Sequence, residues 1–203
     1  MTEIYYIGGS PCSGKSTIAE RLAEKYGLQH FRQDDYLEEY IKRGAKAGHD
    51  LCKKISEMSN EEMWMRSPKE LWEEEITLYE MIFSNTIIDV LALSKTAAII
   101  AEGAGFMPHL VKQLGVDKTH YVCVTPTREF QLDKYAKREW ISIHLRGCTD
   151  EKKAFENWME RDVLFGEFVT QAAKELGFPY LVVDGTSSIE ENFAMVEEIF
   201  RVN

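Results

Sequence analysis

Residues Gly9-Ser10-Pro11-Cys12-Ser13-Gly14-Lys15-Ser16-Thr17 constrain this chain more than any other stretch. They fit the pattern G-x-x-x-x-G-K-[ST], in which glycines let the backbone turn tightly and aim successive N–H groups at a phosphate. In that pattern the lysine reaches the outer phosphates and the first hydroxyl faces a magnesium ion. The flanks agree. Glu3-Ile4-Tyr5-Tyr6-Ile7 is apolar and β-favouring, while the segment from Thr17 to Tyr26 puts Ile18 and Leu22 on one helical face before Gly27 stops it. Strand, glycine loop and helix in this order predict an α/β fold, with the positive end of the helix turned to the same oxygens.

The 203 residues suit a single domain with room for an insertion, and a 44% hydrophobic content supplies a core. A formal net charge of −10 argues against nucleic acid or an anionic membrane as a partner. Cys12, Cys52, Cys123 and Cys148 form no C-x-x-C pair. That usage predicts a reduced, disulfide-free, cytoplasmic protein. The N-terminus reads as a strand and not as a leader, and the apolar runs read as too short to span a bilayer.

Further strands are predicted at His30-Phe31-Arg32, Ala97–Ala101, Tyr121–Val124 and Tyr180–Val183. The last three are continuous apolar runs, which suit central strands covered on both faces. Ser67-Pro68-Lys69-Glu70 is a capping box that starts a helix running to about Leu93. On it Leu71, Glu75, Leu78 and Ile82 share one row, and Ile76, Tyr79, Phe83, Ile87 and Leu91 a fuller apolar one. A second long helix spans about Asp150 to Leu176, its aromatic stripe through Trp158 and Phe165 reading as core. The closing helix covers about Ser187 to Phe200. Residues 36–95 exceed a simple crossover and predict a helical insertion on a possible second-substrate side.

Several carboxylates stand where strands end. Asp34 or Asp35 could accept a proton or hold Mg²⁺ through water, while the other caps a helix. Glu102, at the tip of a central strand, is a natural Mg²⁺ partner, so Ser16, Glu102 and Asp34 form the expected metal set. The segment 128–162 holds eight basic and eight acidic residues, so it is locally neutral in an acidic chain. It predicts a lid whose arginines offset phosphoryl charge and exclude water. Lys134 and Arg138 share a helical face there, and Asp162 falls on an apolar stripe, where it needs a partner such as an arginine. Asp184-Gly185-Thr186 is placed to meet a nucleotide base, with Thr186 or Ser187 capping the last helix.

Taken together, the loop at residues 9–17, Asp34-Asp35, Glu102-Gly103 and the 128–162 segment resemble the small P-loop kinases: the adenylate, shikimate and chloramphenicol kinase group. The resemblance implies a three-layer α/β sandwich around a five-stranded parallel sheet of order 2-3-1-4-5, all in one domain over residues 1–203. It implies ATP at the carboxyl edge of the sheet. The loop amides (Gly9, Ser10, Pro11, Cys12, Ser13, Gly14) and Lys15 would hold the phosphates, Ser16 the Mg²⁺ and Thr17 the α-phosphate. Asp34 or Asp35 would stand near the acceptor, and Arg138, Arg146 or Arg161 would act from the lid. The chain also departs from the group. Ala101-Glu102-Gly103-Ala104-Gly105 stands where adenylate kinases carry a D-G-x-P-R-like stretch, which weakens a nucleoside monophosphate as acceptor. The expected activity is an ATP-dependent kinase, a transferase acting on a small hydroxyl or phosphate acceptor. The alternative is a nucleotide-binding regulatory ATPase without such an acceptor.

Overall fold

The computed structural model describes residues 3–201. Five strands form one parallel sheet: β1 (Ile4–Gly8), β2 (Gln29–Arg32), β3 (Ile99–Glu102), β4 (Tyr121–Pro126) and β5 (Tyr180–Val183). Their spatial order is β2-β3-β1-β4-β5, as the resemblance implied. Helices fill both faces. They are α1 (Lys15–Tyr26), α2 (Leu37–Lys46), α3 (Asp50–Glu57), α4 (Asn60–Trp64), α5 (Pro68–Leu93), α6 (Pro108–Gln113), α7 (Arg128–Ala136), α8 (Ile141–Leu145), α9 (Glu151–Leu176) and α10 (Ile189–Phe200).

The alternation of side chains along the strands divides the core in two. Tyr5, Ile7, Ile100, Val122 and Val124 face α1 and α10, where Ile18, Leu22, Val196 and Phe200 cover them. Tyr6, Phe31, Ile99, Ala101, Tyr121 and Cys123 face the other way, toward Ile82 and Phe83 of α5 and Phe165 and Val169 of α9. A third cluster lies off the sheet. There Trp64 of α4 and Leu71 of α5 meet Tyr135, Ile141, Leu145 and Trp158 from α7, α8 and α9. The rings of Trp64 and Trp158 stack at 4.3 Å and 12°. Residues 36–95 and 128–162 therefore share one core above the carboxyl ends of the strands. Asn157 donates to the Trp64 carbonyl at 2.9 Å, and Thr149 donates its backbone N–H to Glu61 at 2.7 Å across the same seam.

The Ser67 capping box forms as predicted, with Pro68 in the first turn and Ser67 accepting from the Glu70 N–H. Four details differ from expectation. β5 is an edge strand, with Tyr180 and Val182 exposed; an apolar run signals burial but not which side of a sheet it occupies. Leu91 is exposed, as is Ile88 before it, while Val90 and Leu93 pack on the core, so Leu91 lies on the outer face of α5. Helix α5 is, by length and composition, apolar enough to cross a membrane, which short-run counting missed; here Leu71, Leu78, Tyr79, Ile82 and Val90 are buried within the protein. The cap of α10 is Ser188, one residue beyond the expected pair, again in a capping box, with Glu191. The four cysteines are free, Cys52 and Cys123 being buried.

Candidate active site

The loop after β1 is shaped by its neighbours. Gly9 has φ +121°, and a Cβ there would overlap the Val124 carbonyl, so only glycine fits. Helix α9 presses on the loop at Gly166, where a Cβ would lie 3.0 Å from Ser10 Oγ. Cys12 takes a left-handed conformation (φ 63°) despite its side chain, a strain of about 1–2 kcal/mol of the kind held at functional turns. Gly14, left-handed at φ 85°, precedes the first residue of α1. That residue is Lys15, buried with its ammonium donating to the Ser10 carbonyl at 2.7 Å.

A cleft of about 1040 Å³ opens over this loop. Pro11, Cys12, Ser13, Gly14, Lys15, Ser16 and Thr17 form its floor. On one side stand Val183, Gly185, Ser187, Ser188, Ile189 and Asn192, from the end of β5 and the start of α10. Asp184 and Thr186 do not line it; Asp184 instead accepts the Thr186 N–H and hydroxyl, fixing the turn. On the opposite side stand Asp34, Leu37, Glu75, Tyr79, Trp158 and Arg161, and above lie Lys134, Tyr135, Arg138, Trp140 and His144.

Asp34 and Asp35 part ways in the short 3₁₀ turn Gln33–Tyr36 after β2. Asp34 faces the cleft, whereas Asp35 points to Arg32 at 3.9 Å, outside the lining. Gln33 anchors the turn: fully buried, it accepts the Gly105 N–H at 2.8 Å and donates to Thr86 of α5 at 3.2 Å. Glu102 is buried at the tip of β3, in register with Ile7 and Arg32. Burial pushes its carboxyl above the usual range, and Lys15, the Ser16 hydroxyl and Arg32 pull it back.

The three arginines separate as well. Arg138 lies just beyond α7, exposed, its guanidinium over the rings of Tyr135 and Trp140 at 5.2 and 5.6 Å. The helical face expected to carry it ends at Ala136. Arg146 is exposed outside the cleft lining, its carbonyl taken by Asn60. Arg161 is enclosed. Its Nη2 meets Asp162 at 2.5 Å, its Nε lies 3.3 Å from Glu75, and its guanidinium covers Trp64 at 5.2 Å. Burial alone would lower its pKa, but Asp162 and Glu75 reverse that and raise it. Asp162 is fully buried and also accepts the Tyr135 hydroxyl, which answers the sequence's demand for a partner.

Glu75, Tyr79, His144 and Trp158 of the cleft were not singled out by sequence as site residues. The available hint was Glu75 itself, a carboxylate in a row with Leu71, Leu78 and Ile82. Burial pushes its carboxyl above the ordinary range, Arg161 pulling it down while Asp162 and Asp34 push it up.

A parallel 2-3-1-4-5 sheet, this loop and a roofed cleft at the carboxyl edge define a fold of the small P-loop kinase type. The chain belongs to the AAA domain family, whose model matches residues 4–191. Among curated proteins it is 22% identical to an adenylate kinase of Campylobacter jejuni over 99% of this chain and 97% of that one. A shorter match, 48% identical, joins 21% of this chain to 22% of an adenylate kinase of Bacteroides fragilis. Shikimate kinase from Acinetobacter baumannii, solved in complex with shikimate, shares the fold at a TM-score of 0.52 and 16% identity, over 99% of this chain and 94% of that one.

Proposed function

We propose that this protein is an ATP-dependent small-molecule kinase. The supporting observation is that Lys15, in a loop shaped for phosphate, and the Asp34 carboxylate line one cleft. The nucleotide relatives favour ATP as donor. The loop amides and Lys15 hold the β- and γ-phosphates, and the α10 side of the cleft, at Gly185, Ile189 and Asn192, takes the base.

The Ser16 hydroxyl and the Glu102 carboxylate are hard oxygen donors of the kind Mg²⁺ prefers. Among the described residues no three His, Cys, Asp or Glu side chains form a ready cage. Ser16 and Glu102 would hold the ion, which would supply positive charge against the phosphates.

Asp34 takes the proton of the acceptor hydroxyl as its oxygen bonds to the γ-phosphorus, and the bond from that phosphorus to the bridging oxygen breaks to release ADP. Lys15 and Arg138 offset the charge that spreads over the moving group. Most of the rate comes from placement and from these fixed charges. Mg-ATP consumption across a metabolite panel, with Lys15→Ala as control, tests this. An acceptor-dependent rate that falls at least about a hundredfold in the variant is expected, and equal rates would remove the assignment.

A further inference from the structure

The cleft carries two electrostatic zones. Near the apex of the loop, Lys15, Lys134 and Arg138 line the cleft together with Cys12, and Lys134 and Arg138 lie over the rings of Phe130 and Tyr135 with no ion pair to an acid among the described residues. The wall built from the turn after β2, from α5 and from α9 is different. Among the described residues its one cation, Arg161, is shared between Asp162 and Glu75, and Asp34 adds a further carboxylate. One positive charge thus faces three acids, and among the described residues these three elements place no unpaired cation in the cleft lining.

Two polar groups of the same wall are shielded from water and lack a hydrogen-bond partner. Glu75 has a side chain only 10% exposed, and its Oε2, though close to Arg161, takes no hydrogen bond. The Trp158 Nε1–H is likewise buried without an acceptor. Buried polar groups are normally satisfied, so both call for ligand atoms: a donor for the carboxylate and an acceptor for the indole. A hydroxyl supplies both. A phosphate or carboxylate supplies no donor and meets the acids, and an ammonium cannot accept from the indole. The rings of Tyr79 and Trp158 offer an apolar face beside these polar atoms.

We infer that the acceptor is an uncharged, polyhydroxylated molecule selected by Glu75 and Trp158, a neutral sugar or a nucleoside rather than its phosphate. This rests on the kinase function proposed above. Glu75 acts on binding and selection, while Asp34 takes the proton.

The test is heat stability of the full chain, at a pH above the raised range of the Glu75 carboxyl so that it is ionised, saturated with Mg²⁺ and a non-hydrolysable ATP analogue. The probes are ribose, glucose, inositol, adenosine, ribose 5-phosphate, AMP and ethanolamine. At least one neutral hydroxyl compound is expected to bind about tenfold or more tightly than its phosphorylated counterpart. Binding of adenosine without ribose or glucose identifies a nucleoside, and the reverse a sugar or polyol. Glu75→Gln, which keeps shape and removes charge, is expected to shrink that preference about tenfold by admitting the anion. Should it fail to fold, Trp158→Phe keeps the stack on Trp64 and weakens the neutral probe about fivefold or more. Preference for AMP or ribose 5-phosphate, binding of ethanolamine alone, or no binding of any neutral probe overturns the inference. Absence of any shift with the ATP analogue itself is a separate result, and it would sink the kinase function instead.

Discussion

The Tyr135 hydroxyl donates to Asp162 at 2.8 Å, tying α7 to α9 beside the Gln131 amide, which donates to the Met159 carbonyl at 3.1 Å. Burial, and then the neighbouring Asp162, push the Tyr135 pKa far up, so the phenol stays a donor at any working pH. Tyr135→Phe leaves a buried carboxylate oxygen short of one partner. Urea unfolding is expected to show a loss of about 1–3 kcal/mol, with Arg161 less firmly held.

Gly9 is expected to be intolerant. Its left-handed backbone and the adjacent Val124 carbonyl leave no room for a methyl group. Gly9→Ala should lose about 1–2 kcal/mol from backbone strain alone, and more from the overlap. The stabilisation given by Mg-ATP, about 2.7 kcal/mol at a hundredfold excess over Kd for a competent site, should vanish. Thermal unfolding with and without nucleotide measures both.

Arg138 and Arg146 are separated by one comparison of turnover. Arg138 lines the cleft and Arg146 does not. Arg138→Ala is expected to lower kcat about a hundredfold or more, the loss typical of removing a donor aimed at developing charge. Arg146→Ala should stay within about threefold, as expected of an exposed side chain.

Stability should fall as pH rises above the ordinary glutamate range. The carboxyls of Glu75 and Glu102 are both raised in the folded state by burial. The native protein therefore holds more protons than the unfolded chain from about pH 4.3 upward, and the slope of stability with pH is negative until these groups ionise. Each pH unit of displacement is worth about 1.4 kcal/mol. Glu75→Gln, and separately Glu102→Gln, should flatten that decline in urea midpoints taken across this window. Unchanged slopes in both variants would contradict it.

Much of the fold was legible because its signals are local. The glycine loop, the Ser67 box with Pro68, and the apolar strands each announce themselves within ten residues. Strand order came with the resemblance and not from any period in the sequence. The candidate site was legible where a residue ends or follows a strand, as at Glu102 and the Asp34-Asp35 pair, though not which of the two faces the cleft. It was illegible where a helix turns one residue toward a hollow: Trp158 has the spacing of a core position and is one, yet it also lines the cleft. The choice among arginines was hidden for a related reason. It depends on where α7 stops, and helix ends are set by packing that no short window contains.

The stacked indoles of Trp64 and Trp158 join the wall that would greet the acceptor to the overhang that carries Arg138. Selectivity and speed are thereby mechanically linked. On the function proposed above, removing either ring outright to admit a bulkier guest would also displace the Arg138 arm, so broadened tolerance in descendants of this scaffold would come with slower turnover unless a second change restores the arm.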